Sequence, residues 1–185
     1  MNPSNDLPSL PVQAARPWQK WAALLGSAAA VFALDQLSKA WVVANLRLGE
    51  SLTPIPAIGQ YFALTRSLNT GAAFSILPQA GDLFLLIALI MIGGIIIFYP
   101  RMAEGHWLER FAYGLLLGGV AGNALDRIRL GYVVDFVLLQ FRPLISNVSN
   151  LADHAIVIGI LMLFVAQWQS DRARKNHQVP STNDG

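Results

Sequence analysis

The sequence predicts an all-α membrane protein, a bundle of four transmembrane helices with a β-containing loop between the first two spans. Two observations carry that prediction. Hydrophobic residues make up 54% of the 185 positions and charged residues only 13%, far from the balance of a soluble domain. Four apolar windows, at about 21–46, 83–99, 107–124 and 151–168, are each close to the roughly 20 residues needed to cross the hydrocarbon.

Residues 1–20, rich in Pro, Ser and Asn, read as a disordered tail. The first window follows Arg16 and Lys20 and contains Gly26-Ser27-Ala28-Ala29-Ala30, which has the look of a cleaved secretory signal. Its apolar character continues through Trp41-Val42-Val43, so a span is the better reading. The loop from Arg47 to Asp82 is long enough to hold strands and to cover a site as a lid. Within it Ile55, Ile58, Tyr61, Phe62 and Leu64 form an amphipathic patch for the membrane surface, and Gly71 marks a tight turn. A short loop from Arg101 to Arg110 leads to the third window, where Gly114, Gly118 and Gly122 recur every four residues, the pattern of close helix packing. Asn150, followed three residues later by Asp153, is the N-cap and acidic third position of the fourth span. Residues 170–185 form a second tail.

Seven basic residues (Arg16, Lys20, Arg101, Arg110, Arg172, Arg174 and Lys175) fall on one side, against Arg47, Arg66, Arg127, Arg129 and Arg142 on the other. The first side is therefore expected to be cytoplasmic, with both termini inside. This scattering of basic residues gives no reason to invoke nucleic acid. The chain has no Cys, which excludes disulfides, zinc-thiolate sites and thiol nucleophiles.

With that orientation the polar residues converge on the outer mouth. Asp35 and Lys39 lie in the outer half of the first span, Asn123, Asp126 and Arg127 close the third, Asn150 and Asp153 open the fourth, and the loops add Asn69, Gly71 and Asp135. Each ionisable group at membrane depth costs about 2.5–3.5 kcal/mol on insertion scales, so several at one depth imply a shared site. Helix spacing puts Asp35 with Lys39, and Asn123 with Asp126 and Arg127, on common faces. Structural readings stand beside these: an intrahelical Asp35–Lys39 pair, an interfacial Asp126–Arg127 anchor, an Asn150 cap. Asp135 is different, because Gly131-Tyr132-Val133-Val134 and Phe136-Val137-Leu138-Leu139 surround it and the nearest basic residues in sequence are Arg129 and Arg142. A raised pKa is expected.

Two carboxylates suffice to hydrolyse an amide when one is ionised and the other protonated. Close together, their titrations couple and split, leaving one general base and one general acid. Other hydrolytic chemistries lack their parts. His106, His154 and His177 are scattered, no His-Glu-x-x-His or Gly-x-Ser-x-Gly pattern occurs, and Ser38 and Lys39 are helix neighbours that point apart. No metal or other cofactor is expected.

The motifs Asp35-Gln36-Leu37-Ser38-Lys39, Asn69-Thr70-Gly71-Ala72-Ala73-Phe74-Ser75, Gly118 through Arg127 ending in Asn123-Ala124-Leu125-Asp126-Arg127, Gly131-Tyr132-Val133-Val134-Asp135-Phe136 and Asn150-Leu151-Ala152-Asp153 occur in order on the four spans. Together they resemble the lipoprotein signal peptidase (signal peptidase II) family over nearly the whole membrane region. The resemblance implies an aspartic peptidase domain over residues 21–169, with Asp135 and Asp153 as the catalytic pair. Asp35, Lys39, Asn69, Gly71, Asn123, Asp126, Arg127 and Asn150 would bind substrate or support the site. It also implies a bacterial inner-membrane location with a periplasmic active site, and a diacylglyceryl-modified prolipoprotein substrate cut before its lipidated Cys. The residues alone do not choose Asp135 over Asp126 as the partner of Asp153. Ser149, His154 and Leu68 depart from the usual family pattern beside the site. An ion- or proton-coupled transporter and a purely structural membrane subunit are the alternatives, although the carboxylates gather at one mouth rather than along a path.

Overall fold

The computed structural model describes residues 17–71, 80–102, 107–141 and 145–177. Ala72, Ala73, Phe74, Ser75, His106 and Arg142 lie outside the described residues, as do 1–16 and 178–185. The order of elements is α1 (Pro17–Asn45), β1 (Ser51–Leu52), a 3-10 turn (Pro56–Ile58), β2 (Phe62–Asn69), α2 (Ala80–Met102), α3 (Trp107–Leu130), β3 (Val133–Phe141), β4 (Ile145–Ser149) and α4 (Leu151–His177). Residues 17–20 and 170–177, read from sequence as parts of the tails, are helical. At those ends the backbone bonds of α1 and α4 continue past the apolar windows that mark the spans.

Three helices, α1, α2 and α4, are long and apolar enough to cross a membrane. The large apolar side chains they expose are mainly Leu, Ile, Val and Phe, which suits lipid contact. The remaining long helix, α3, has a different composition because it has different neighbours. It packs against each of the other three, and Ala112–Leu117 and Gly118–Val120 are mostly buried. Much of that buried surface is glycine. A Cβ on Gly118 would stand 2.5 Å from the carbonyl oxygen of Ala28 and one on Gly119 2.6 Å from that of Ala152. A Cβ on Gly114 would clash with Ser27. Close approach of α1 and α4 to α3 therefore depends on missing side chains, as the four-residue glycine repeat predicts.

At the end of the bundle where α1 begins, Tyr99 of α2 is buried, stacks at a tilt on Trp21 with ring centroids 5.1 Å apart, and donates its hydroxyl to the Lys20 carbonyl at 2.6 Å. Core residues Leu24, Ala28, Tyr113, Leu116 and Leu117 close around it.

The sheet at the opposite end of the bundle corrects the sequence reading. Its four antiparallel strands run in the order β1-β2-β3-β4, so half of it comes from the connection between α3 and α4 rather than from the first loop alone. The segment Val133–Phe141 is too short to span and rich in β-branched and aromatic residues, which is a strand signature. Sequence reading treated it only as the apolar surroundings of a carboxylate.

The sheet is fixed to the bundle by Phe136, which packs with Val42 and Leu46 at the end of α1. Arg66 of β2 assists by donating from Nη1 to the carbonyls of Val43 and Leu46, both at 3.2 Å, satisfying helix-end acceptors. Leu64 packs against the same cluster and Phe62 is half-buried, so these two do not join the surface patch expected of them. Pairing of Leu64 with Val137 in the sheet turns it to the core. Ile55, Ile58 and Tyr61 are exposed as expected, joined by Leu48, Leu52, Leu68 and Phe141, with Tyr61 and Phe141 stacked at 5.8 Å.

Candidate active site

The innermost part of the site is a buried ion trio. Lys39 reaches Asp35, one turn back on α1, at 2.8 Å and Asp126 of α3 at 2.9 Å. Its third N–H bond goes to Asn123 Oδ1 at 3.0 Å, which accounts for all three donors of the ammonium. The carboxylates are satisfied further. Asp35 Oδ1 accepts the Ala152 N–H of α4 at 3.0 Å, and Asp126 Oδ2 accepts the Val134 N–H of β3 at 3.2 Å. Gln36 Nε2 bridges Asp35, Asp126 and the Gly122 carbonyl at 3.1–3.3 Å. A side chain on Gly122 would fall 2.6 Å from Asp35 Oδ2. The intrahelical Asp35–Lys39 pair is thus real but shared across helices.

The Asp126–Arg127 anchor does not form. Adjacent helix residues project about 100° apart, and Asp126 turns inward to Lys39. Arg127 donates to the Asn123 carbonyl at 3.4 Å and lies over the Phe84 ring, 5.3 Å from its centroid. Its Nε is buried without a hydrogen-bond partner among the described residues.

From Lys39 the network continues outward through amides. Asn123 accepts from Lys39 and from Asn150 Nδ2 (3.2 Å), and its own Nδ2 donates to Asp153 Oδ1 at 2.7 Å. Asn150 and Asp153 form a capping box on α4: the Asp153 N–H donates to Asn150 Oδ1 at 2.9 Å and the Asn150 N–H to Asp153 Oδ2 at 3.3 Å. Asn150 Nδ2 also donates to Asp135 Oδ1 at 2.7 Å. The cap residue expected from sequence therefore touches both carboxylates.

Asp135 projects from β3. Its strand partner is Ser67, and Asn69, two residues on, pairs with Val133. That diagonal brings Asn69 Nδ2 to Asp135 Oδ2 at 2.9 Å. Asn69 is itself held by the Gly71 N–H, which donates to Asn69 Oδ1 at 2.8 Å, and Gly71 has φ +88°, a conformation that favours glycine. Burial pushes the Asp135 carboxyl up to about 6. The Asn69 and Asn150 amides and the more distant Lys39 work against that rise, while the Asp153 charge adds to it.

The structure thus joins Asp35, Lys39, Asn69, Gly71, Asn123, Asp126, Asp135, Asn150 and Asp153 in one hydrogen-bonded network, with Arg127 attached through Asn123. Gln36 belongs to it and sequence reading passed it over, although a polar side chain at membrane depth beside Asp35 was the available signal. The Ala152 and Val134 N–H donors carry no side-chain signal at all. Among the departures, Ser149 is buried on β4 opposite Val137, His154 Nδ1 lies 2.7 Å from the Asn150 carbonyl, and Leu68 is exposed.

A family model described as signal peptidase (SPase) II matches residues 27–169. The chain belongs to that family. Its similar relatives include lipoprotein signal peptidases of Halothermothrix orenii, 42% identical over 77% of this chain and 92% of the relative, and of Streptococcus agalactiae, 40% identical over 80% and 92%. Another, from Xanthomonas oryzae pv. oryzae, is 41% identical over 74% of this chain and 83% of its own. Two solved structures described as bacterial membrane enzymes share the fold at a TM-score of 0.71. One is 24% identical and aligns over 93% of this chain and 97% of its own; the other is 26% identical, over 83% and 95%. Signal peptidase II membership accounts for the order of motifs along the spans.

The raised Asp135 pKa has a consequence for stability. With a folded value near 6 against an ordinary 3.8, the group's favourable contribution is complete below about 3.8 and lost as pH rises through about 6. Asp135→Asn removes that loss. Its unfolding free energy in detergent, relative to the parent, is expected to improve by up to about 3 kcal/mol between pH 4 and pH 8. A difference independent of pH contradicts the raised value.

Proposed function

We propose that Asp135 and Asp153 are the catalytic pair with which this aspartic endopeptidase removes the signal peptide from diacylglyceryl-modified prolipoproteins, cutting before the lipidated Cys. Signal peptide cleavage and aspartic peptidase chemistry follow from the family and from lipoprotein signal peptidase relatives at about 40% identity over most of the chain. One observation supports the residue assignment above all: a single side chain, Asn150, hydrogen-bonds directly to Asp135 and caps the helix turn that carries Asp153.

In the proposed reaction Asp135 carries the shared proton and Asp153 acts as the general base. Asp153 accepts a proton from water as its oxygen attacks the scissile carbonyl carbon, and Asp135 donates its proton to the carbonyl oxygen. The tetrahedral intermediate then collapses: its C–N bond breaks as the proton taken up by Asp153 passes to the leaving nitrogen, and Asp135 recovers a proton from a gem-diol hydroxyl as the product carbonyl forms. Asn69 and Asn150 keep Asp135 oriented, and Asn123 does the same for Asp153. Lys39 acts as a positioning residue through Asn123. A transporter is not favoured, because the ionisable groups of the network gather at one end of the bundle.

The α3 helix is proposed as a fourth span, shielded from lipid by its three neighbours. Both termini are then in the cytoplasm of a bacterial inner membrane and the aspartates at the periplasmic face, as the basic residues favour.

Purified protein is expected to cut a diacylglyceryl-modified prolipoprotein before the Cys, with Asp135→Asn and Asp153→Asn folded but slower by a factor of at least about 10³. Near-parental cleavage by either variant overturns the pair. Because the native chain has no Cys, a single Cys at Leu48 reports topology. A membrane-impermeant maleimide should label it from the periplasm of intact spheroplasts, and labelling only after lysis reverses the orientation.

A further inference from the structure

The outer end of α1 carries a feature that the peptidase chemistry leaves unused. A cavity of about 420 Å³ lies between α1, the end of α3 and the start of β3, walled mainly by Leu37, Ala40, Val43, Ala44 and Leu130, with Arg129 also lining it. Neither Asp135, Asn150 nor Asp153 lines it. A second cavity of about 800 Å³ shares Val43 and Ala44 with the first and is formed where α1 ends, with Arg47, Glu50 and Arg66 on its walls. Hydrocarbon surface thus gives way to charged surface along one helix, in the direction in which α1 leaves the membrane. Trp41, nearly half exposed on the same helix, is of the residue type that favours the membrane–water interface.

The charges at the polar end favour an anion. The Glu50 carboxylate is engaged by the Arg47 backbone N–H at 2.7 Å, and the Arg66 guanidinium donates only to backbone carbonyls. Arg66 Nε is buried without a hydrogen-bond partner among the described residues. The ion pairs found among the described residues are those of Lys39, so Arg47, Arg66 and Arg129 have no carboxylate partner there. The apolar end needs the opposite. Gln36, Lys39 and Asp126 form part of its wall, but every Lys39 donor is already spent, so this wall requires exclusion of water rather than a polar ligand.

We propose that the joined cavities hold one glycerophospholipid with an anionic headgroup. One acyl chain lies along α1 over Ala40 and Ala44, and the phosphate is taken by Arg47 and Arg66. The chain seals the outer flank of the Lys39–Asp126 pair from water. The arginines select the headgroup, each basic side chain near the surface contributing about fivefold in binding.

Native mass spectrometry of the full chain in detergent tests this directly, with phosphatidylglycerol and phosphatidylethanolamine of identical chains as probes. The parent is expected to retain phosphatidylglycerol at least about fivefold better than phosphatidylethanolamine. Arg47→Gln, at an exposed position, should lower that preference about fivefold while keeping acyl-chain binding. Ala44→Trp, which fills the shared wall, should lower retention of both lipids, and Leu86→Trp on the exposed face of α2 should change neither. Parental retention by Ala44→Trp, or a parent indifferent to headgroup charge, overturns the proposal. The readout is lipid retention, so its failure leaves the aspartate pair untouched.

Discussion

The ammonium of Lys39, held between Asp35, Asp126 and Asn123, is the interaction on which the site-bearing half of this molecule depends. Three charges buried this deeply are tolerable only together, since removing one partner from a buried pair typically costs about 3–5 kcal/mol. Their hydrogen bonds also join four elements of the site: α1 through Asp35, α3 through Asp126, α4 through the Ala152 N–H and β3 through the Val134 N–H. A fold whose lipid-facing surface supplies no driving force for helix association thereby gains a specific register between its helices and its sheet.

The same trio leads to the chemistry. Asn123 converts the position of Lys39 into the orientation of Asp153, and Asn150 does the equivalent for Asp135 while completing a helix cap. Amide side chains suit this task because they donate to one carboxylate and accept from another donor without adding charge. A cation in direct contact with Asp135 would hold it ionised. Burial instead lifts it to about 6, within reach of working pH. Neutral amides therefore hold Asp135 in place without a charge that would strip its proton.

Much of this was legible in the sequence where the cause is local. The four-residue spacing of Asp35 and Lys39, the Asn150–Asp153 cap and the glycine ladder on α3 each correspond to a contact in the structure, since helix periodicity alone determines which side chains share a face. Across elements the sequence was mute. Nothing in it chose Lys39 over Arg127 as the partner of Asp126, because that depends on how α1 docks on α3. The strand β3 was hidden by its own apolarity, and the contribution of β3 and β4 to one sheet with β1 and β2 is a long-range pairing with no local signal. The assignment of Asp135 came from family resemblance, and the Asn69 contact that holds it appears only once β2 and β3 are in register.

The central claim is that Asp135 holds the proton of the proposed pair at the mouth of the bundle. Carbon-13 NMR of aspartate carboxyls in the purified protein, titrated from pH 4 to pH 9, tests it most directly. The account predicts one carboxyl titrating near pH 6, absent in Asp135→Asn and shifted to lower pH in Asp153→Asn, where the neighbouring negative charge is gone. A titration near pH 6 that survives in Asp135→Asn, or none above pH 5 in the parent, contradicts it.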